Sequence, residues 1–301
     1  MSDTTANLRR QITGAGDLQA VVRTMKAVAA ASIGQYENSV RALADYSRAI
    51  ELGLGACFRA GGPTPLMSER KSHHGPSAIG AVVFGSDQGL VGQFNEVIAD
   101  DAIQALASLA TNSEVWAVGE RVHARLADAG LPLLRLFTVP TSVKSIIPLV
   151  GQILMESETR YSQGLVTEVH LFYNHPTSAA GYAPVHQRLL PLDETWRRQL
   201  AEGPWPARNL PDFLGDVATN LRALIREYLF VSLFRACAES LASENASRLA
   251  AMQRADQNIE ELLLDLNARF HRIRQNRIDE ELFDVISGVE AANECISVPR
   301  V

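Results

Sequence analysis

The sequence predicts an α/β protein: a long antiparallel coiled coil of N- and C-terminal helices, joined to a central Rossmann-like α/β domain with a mainly parallel sheet. Apolar or small residues recur at steps of three and four near both ends of the 301-residue chain, as in a coiled coil. Between the two ends, short β-rich runs alternate with helical patterns, which is typical of a parallel sheet.

The N-terminal helix is predicted over residues 1–58 and is followed by a loop at residues 59–77. No proline occurs between Thr4 and Leu54, and the stripe begins at Leu8 and Ile12. Glycine costs a helix interior up to about 1 kcal/mol relative to alanine. We therefore expect the helix to persist, with fraying near Gly14 and Gly16.

The α/β domain is predicted over residues 78–195. Strands are expected at AIGAVVFG, EVWAVG, LPLLRLF and VTEVHLFYN, with VHQRLLP as the final strand. Helices are expected at QFNEVIADDAIQALASLA, ERVHARLADAG and KSIIPLVGQILMESETRYSQG. A second loop is predicted at residues 196–212.

The C-terminal helix is predicted over residues 213–292, with a tail at residues 293–301. Neither glycine nor proline occurs between Asp216 and Ser287, so the helix would extend roughly 110 Å at 1.5 Å per residue. A helix of that length must bury its apolar stripe against another long helix, and the N-terminal helix is the candidate. Because the N-terminal helix is the shorter of the two, the end of the C-terminal helix is expected to protrude.

The order of charge near the C-terminus is unusual for a free helix end. Basic residues come first and acidic residues follow, whereas the C-terminal end of a helix dipole favours cations. The order indicates a helix end surrounded by partners; a solvated face in a self-contained coiled coil is the alternative. The residues are Arg269, Arg272, Arg274 and Arg277, then Asp279, Glu280, Glu281 and Asp284.

Composition excludes several classes of protein. The hydrophobic fraction of 47% and charged fraction of 21% are those of a soluble globular chain, and the net charge of -6 argues against general nucleic-acid binding. No apolar run approaches the roughly 18 residues of a membrane helix, and the polar start lacks a secretory signal. Cys57, Cys237 and Cys295 have no metal or redox spacing and are expected to be free thiols in a reducing cytoplasm.

Three segments resemble one family. ASENASRLAAMQRADQNIEELLLDLNARFHRIRQNRIDEELFDVISGVEA near the C-terminus and LRRQITGAGDLQAVV with TMKAVAAAS near the N-terminus resemble the two ends of the gamma subunit of rotary F-type ATP synthases. SDQGLVGQFN, residues 86–95, resembles the signature loop between the first strand and the first helix of that subunit's α/β domain. The resemblance spans the whole chain.

The resemblance implies a central rotor shaft without a catalytic group, cofactor or metal. The coiled coil would turn inside a ring of three alpha and three beta subunits, coupling ion flow to ATP synthesis or hydrolysis. The α/β domain would sit against the epsilon subunit and the membrane c-ring. It also implies a peripheral protein on the cytoplasmic side of the cell inner membrane, with no membrane span and no nucleic acid.

The resemblance further implies roles for individual residues. Met25, next to Lys26, would contact an acidic loop of beta. Arg274 and Gln275 would hydrogen-bond a loop of the ring, and Glu281 with Leu282 would continue that contact. Val285, Ile286 and Val289 would occupy the apolar sleeve of the ring. The structural residues of the signature loop are Ser86, Asp87, Gly89, Gly92, Phe94 and Asn95.

Some positions depart from the family's pattern. The signature loop commonly has Arg and then Cys-Gly or a similar pair, where this chain has Gln88, Val91, Gly92 and Gln93. Asp279 stands where a Thr is common in the family, near the protruding end of the C-terminal helix. These departures indicate a divergent branch, such as the alternative sodium-type ATPase of some bacteria. The α/β domain has no cysteine pair, so the thiol switch of the chloroplast version is not supported.

Three other interpretations of the sequence are weighed against the rotor shaft. The signature loop has neither the G-x-G-x-x-G nor the P-loop spacing, so a tight structural turn is favoured over a phosphate site. His170, His175 and His186 lie on or beside predicted strands and are interpreted as ordinary histidines rather than metal ligands. The alternative function is an α/β small-molecule or nucleotide-binding protein with a dimerising coiled coil, which would form a stable, ligand-binding homodimer.

Overall fold

The structure is a computed structural model that describes residues 5–61, 78–109, 112–177, 181–206, 212 and 214–296, with the backbone alone for residues 290–296. Contacts divide the chain into two units. One unit contains Met1–Ala27 and Met252–Val301, and the other contains Val28–Ala251.

The chain contains six helices and five strands within the described residues. The helices are α1 Thr5–Arg59, α2 Phe94–Leu109, α3 Glu120–Asp128, α4 Val143–Ser162, α5 Glu194–Glu202 and α6 Val217–Ile296. The strands are β1 Ala78–Phe84, β2 Ser113–Val118, β3 Leu133–Phe137, β4 Val166–Pro176 and β5 Tyr182–Leu190.

In the first unit, residues 5–27 of α1 pack antiparallel to α6. Arg9 lies 5.7 Å over the ring of Phe270, whereas Lys26 contacts Asp256, so the residue number rises on one helix as it falls on the other. The predicted antiparallel pairing of the terminal helices is confirmed here. The expected fraying near Gly14 and Gly16 does not occur, since α1 is helical from Thr5 through both glycines. Burial of apolar side chains against α6 stabilises a helix more than local propensity does. Among the side chains of this unit that the structure describes, the buried ones are Leu8, Ala15, Met252 and Leu266.

The second unit contains a five-stranded sheet of order β3-β2-β1-β4-β5. The first four strands are parallel, and β5 pairs antiparallel with β4. A mainly parallel sheet was predicted, and it is confirmed. Alternate residues of β1 point to opposite faces: Val82 and Phe84 join a core that includes residues of α1, α4 and α6. Ala81 and Val83 join a second core formed with α2 and α3.

A short helix occupies the start of the segment predicted as a loop at residues 196–212. Asp193 caps helix α5, Glu194–Glu202, because its side chain accepts a hydrogen bond from the backbone N–H of Thr195. Trp196 of α5 packs against Phe58 and Tyr228, with ring centroids 6.1 and 4.7 Å away. The predicted loop at residues 59–77 lies mostly outside the described residues, and α6 extends to Ile296, into the segment predicted as a tail.

A membrane-crossing helix is absent from the described part of the chain, where no helix is both long and apolar enough to be one. Cys57 and Cys237 are buried free thiols.

Candidate functional site

The signature loop leaves the carboxyl end of β1 and leads into α2. Ser86 and Asn95 close it by two hydrogen bonds. The backbone N–H of Ser86 donates to Asn95 Oδ1 at 2.9 Å, and Asn95 Nδ2 donates to Ser86 Oγ at 2.8 Å. Both residues are buried, so the bonds are shielded from water and hold the two ends of the loop together.

Asp87 connects this loop to the loops that follow β2 and β3. Its Oδ1 accepts from the backbone N–H of Glu120 at 3.0 Å, and its Oδ2 accepts from the N–H of Val139 at 2.9 Å. Ligands of open parallel sheets bind at the carboxyl edge, often at a helix N-terminus. Here a carboxylate of the chain itself takes the first amide of α3, at the edge where a phosphate would bind. The geometry agrees with a structural turn and disfavours a phosphate site.

Two glycines permit the close packing of this edge. Gly119 follows β2 with φ +113°, and a Cβ there would lie 2.8 Å from backbone atoms of Ser86. Gly92, inside the signature loop, has φ +59°, a conformation that glycine adopts at little cost. Gly119 was not singled out from the sequence, although a glycine directly after a buried strand was the available signal.

Helix α6 also contacts the signature loop. Ser247 Oγ donates to the carbonyl oxygen of Val91. Asn174, near the end of β4, donates from Nδ2 to the carbonyl of Phe94 at 3.0 Å and accepts at its own carbonyl from Ser243 Oγ at 2.9 Å. Sequence reasoning missed these three α6 and β4 side chains because their partners are distant in the chain.

The three histidines separate into two places. His170 Nδ1 lies 2.7 Å from His186 Nε2, and His170 Nε2 lies 2.8 Å from a carboxylate oxygen of Glu168. Burial lowers the pKa of His170, with the hydrogen bond to Glu168 opposing that shift. His175 instead contacts Glu239 at 2.8 Å. Within the described ranges, no group of three or more His, Cys, Asp or Glu side chains is arranged to hold a metal ion.

The predicted partner-contact residues of α6 are all exposed. Arg274, Gln275 and Glu281 project from the helix surface, and Glu281 lies 3.3 Å from Arg277 in an ion pair that is open to solvent. Apolar side chains of the same stretch are exposed as well: Ile278 54%, Leu282 57%, Phe283 68%, Val285 64%, Ile286 45% and Val289 55%. Such a concentration of exposed apolar side chains marks an interaction surface.

A shallow groove of about 290 Å³ lies beside this stretch. Three arginines and Phe270 line it, together with the first residues of α1. The full lining is Thr5, Ala6, Arg9, Phe270, Arg274 and Arg277. The guanidinium groups give the groove a positive charge, as expected of a surface that meets acidic groups.

Met25 and Lys26 are partly buried and lie at another level of the same unit. Lys26 Nζ lies 2.8 Å from Asp256 Oδ2. Residues 9 and 26 of one helix are roughly 26 Å apart along its axis. The structure therefore does not bring Met25 and Lys26 together with the groove at Arg274.

The sequence of this chain is similar to those of ATP synthase gamma chains over nearly its whole length. A family model described as ATP synthase matches residues 4–292. The ATP synthase gamma chain of Moorella thermoacetica is 27% identical over 287 residues, covering 95% of this chain and 98% of the relative. That of Bdellovibrio bacteriovorus is 24% identical over 290 residues, covering 95% and 97%.

Solved structures show the same fold. A chain in a Euglena gracilis mitochondrial ATP synthase structure (OSCP/F1/c-ring) has a TM-score of 0.65 at 17% identity, covering 98% of this chain and 97% of that one. A chain in a Tetrahymena thermophila mitochondrial ATP synthase structure (central stalk and c-ring) has a TM-score of 0.54 at 20% identity, covering 78% and 99%. The chain therefore belongs to the ATP synthase family, among its gamma chains.

Proposed function

We propose that this chain is the central rotor shaft of a rotary F-type ATP synthase. It couples ion flow through a membrane c-ring to ATP synthesis or hydrolysis in a ring of three alpha and three beta subunits. The observation that carries the proposal is the exposed apolar stretch of α6 from Ile278 to Val289, in a chain that matches ATP synthase over residues 4–292.

The shaft acts without a catalytic group of its own. Three identical catalytic sites surround one asymmetric chain, so each site meets a different face of the shaft. A conformational equilibrium shifts only by the difference in binding free energy between its states. Rotation presents the favourable face to each beta subunit in turn, which opens and closes the three sites in sequence.

The C-terminal part of α6, residues 274–289, makes polar contacts at one level and apolar contacts at another. Arg274 and Gln275 donate hydrogen bonds to a loop of the ring, and Glu281 with Leu282 continues that contact. Val285 and Ile286 sit in an apolar sleeve, where burial of the exposed side chains stabilises the assembled state by about 25 cal/mol per Å² of apolar surface.

Met25 and Lys26 form a second contact with an acidic loop of beta. Lys26 is already paired with Asp256, but an ammonium group has three donors. The remaining donors can meet a second carboxylate, so the internal pair orients Lys26 for the partner.

The α/β domain, residues 78–195, lies against the epsilon subunit and the c-ring, with residues 1–58 and 213–292 forming the shaft. The complex is peripheral, on the cytoplasmic side of the cell inner membrane.

The departures at Gln88, Val91 and Asp279 support the sodium-type branch, which stays a prediction. A nucleotide-binding homodimer is disfavoured, because Asp87 occupies the amide of α3 at the sheet edge.

Native mass spectrometry of the tagged chain, purified from its own cells, tests the proposal. We expect one copy with three alpha and three beta subunits, carrying ATPase activity that the isolated chain lacks. A stable homodimer without those partners would contradict the rotor and redirect attention to ligand binding by the α/β domain.

A further inference from the structure

Four α6 side chains, Ser243, Glu244, Ser247 and Arg248, face the carboxyl edge of the sheet, and we call them the α6 anchor. Their spacing places them on one side of the helix over little more than one turn. Ser243 and Glu244 are buried, and Ser247 and Arg248 are partly buried. All four belong to the unit that contains the sheet.

The two serines bond to backbone carbonyls outside their own helix. Ser247 Oγ donates to Val91 in the signature loop. Ser243 Oγ donates to Asn174 near the end of β4 at 2.9 Å. Asn174 in turn donates to Phe94, the first residue of α2, at 3.0 Å. The anchor thus contacts strand β4 and the signature loop directly, and it reaches the start of α2 through Asn174.

The other two members form a buried ion pair. Arg248 Nη2 lies 2.6 Å from Glu244 Oε1, with side chains only 13% and 7% exposed. Burial raises the pKa of Glu244, Arg248 opposes that shift, and the charge of Asp87 adds to it. Breaking such a pair leaves an uncompensated buried charge.

Much of the rest of α6 in this unit packs by apolar contact, although Glu239 also contacts His175 at 2.8 Å and Glu227 accepts a hydrogen bond from Tyr46 of α1 at 2.9 Å. Leu229, Leu233, Ala238 and Leu241 belong to the core that covers one face of the sheet. Apolar burial is strong but non-directional, so it resists separation more than rotation or sliding. Hydrogen bonds weaken steeply as their angles change. The anchor therefore adds directional restraint at the signature loop and at β4, which apolar packing alone does not give.

We propose that the α6 anchor fixes the rotational and axial position of α6 on the sheet, so that torque passes between the shaft and the α/β domain without slip. Its members are positioning residues, since they act through the helix and the sheet and not on ATP. This inference rests on the proposed rotor function.

The test compares serines that bond across elements with one that does not. The Ser243→Ala/Ser247→Ala double variant is assembled into the whole ATP synthase. Ser232→Ala is the matched control, because Ser232 Oγ donates only to Tyr228 of its own helix, at 2.8 Å. Two quantities are measured: ions pumped per ATP hydrolysed, and amide hydrogen exchange of residues 86–95 in the complex.

In the double variant, exchange of residues 86–95 should accelerate by about fivefold, because the hydrogen bond from Ser247 to Val91 is lost. The number of ions pumped per ATP should fall while the ATP hydrolysis rate is retained, because the catalytic ring is untouched. The Ser232→Ala control should match the wild type in both quantities. A structural role alone would change exchange without changing the pumping ratio.

Wild-type pumping per ATP in an assembled double variant would overturn the anchor. If the double variant does not assemble, the Ser247→Ala variant carries the same test, since Ser247 is only partly buried. Failure of the wild-type chain to assemble with alpha and beta subunits would instead overturn the rotor function. The two failures are therefore distinguishable.

Discussion

Lys26 of α1 and Asp256 of α6 form an ion pair across the two helices, with Nζ 2.8 Å from Oδ2. Arg23 Nε lies 3.2 Å from the other oxygen of the same carboxylate. Residues three apart share a helix face, so one acid joins two cations on adjacent turns of α1. The carboxylate is only 14% exposed. These contacts fix the register of α1 on α6 in this unit.

Replacing Asp256 by Asn should loosen this helix pair. The hydrogen bond from Lys26, helped by that from Arg23, lowers the pKa of Asp256. A lowered acid pKa contributes stability that is present above the unfolded value, 3.8, and is lost as pH falls through the folded value. Amide exchange of residues 5–27 should therefore accelerate at neutral pH in Asp256→Asn, and less so at acid pH.

Asp265→Asn is the control for that prediction. Asp265 pairs at 2.8 Å with Arg269 of its own helix, and both side chains are exposed. Exposed pairs four residues apart contribute about 0.3–0.5 kcal/mol, so this change should leave the exchange of α1 unaltered. Equal effects of the two substitutions would show that Asp256 does not hold the register.

Replacing Gly119 by Ala should destabilise the α/β domain by about 1–3 kcal/mol, the cost of a strained backbone conformation. The residue has φ +113°, and the new Cβ would lie 2.8 Å from backbone atoms of Ser86. Denaturant unfolding measures the change. Gly151→Ala is the control, since a Cβ at this position of α4 meets nothing within 4 Å. That variant should gain about 0.5–1 kcal/mol, and a similar loss in both would contradict the steric argument.

The sequence predicted the elements whose pattern repeats over many residues. The apolar stripe of α1 can be read from the sequence because its residues recur at steps of three and four. Its members Leu8, Ala15, Ala29, Tyr36 and Leu54 are buried in the structure. The strands stand out because each is a short apolar run bounded by turn residues. Periodicity of this kind is local, so it needs no knowledge of tertiary contacts.

The features that the sequence did not predict depend on single contacts between distant residues. Helix α5 is stabilised by Trp196 against Phe58 and Tyr228, neither of which is near it in the chain. Asp87 was assigned to the signature loop, but its two amide donors lie 33 and 52 residues away. No periodic pattern identifies such partners, and only the packed sheet brings them together.

Alkaline unfolding should depend on Tyr173. Burial, with the nearby charge of Glu239, raises the pKa of this phenol from 10.0 to about 12. A raised pKa means that the stability is complete below the unfolded value and is lost as pH rises toward the folded one. The free energy of unfolding should therefore fall between pH 10.0 and about 12. Tyr173→Phe should flatten that fall, as measured by denaturant unfolding at several pH values. An unchanged slope in the variant would show that Tyr173 is not the group responsible.

Replacing Arg274 by Ala separates a partner contact from a role in folding. Arg274 is exposed, so the unfolding free energy of the isolated chain should change by less than about 0.5 kcal/mol. In the assembled complex, ATP-driven ion pumping should fall by about tenfold, which corresponds to about 1.4 kcal/mol. The difference in pumping between the wild type and the variant should shrink as salt is added to both, because exposed charge contacts are screened within about 8 to 10 Å. Arg254→Ala, at another exposed position of α6, is the control and should pump as the wild type does. Equal pumping by the two variants would remove Arg274 from the ring contact.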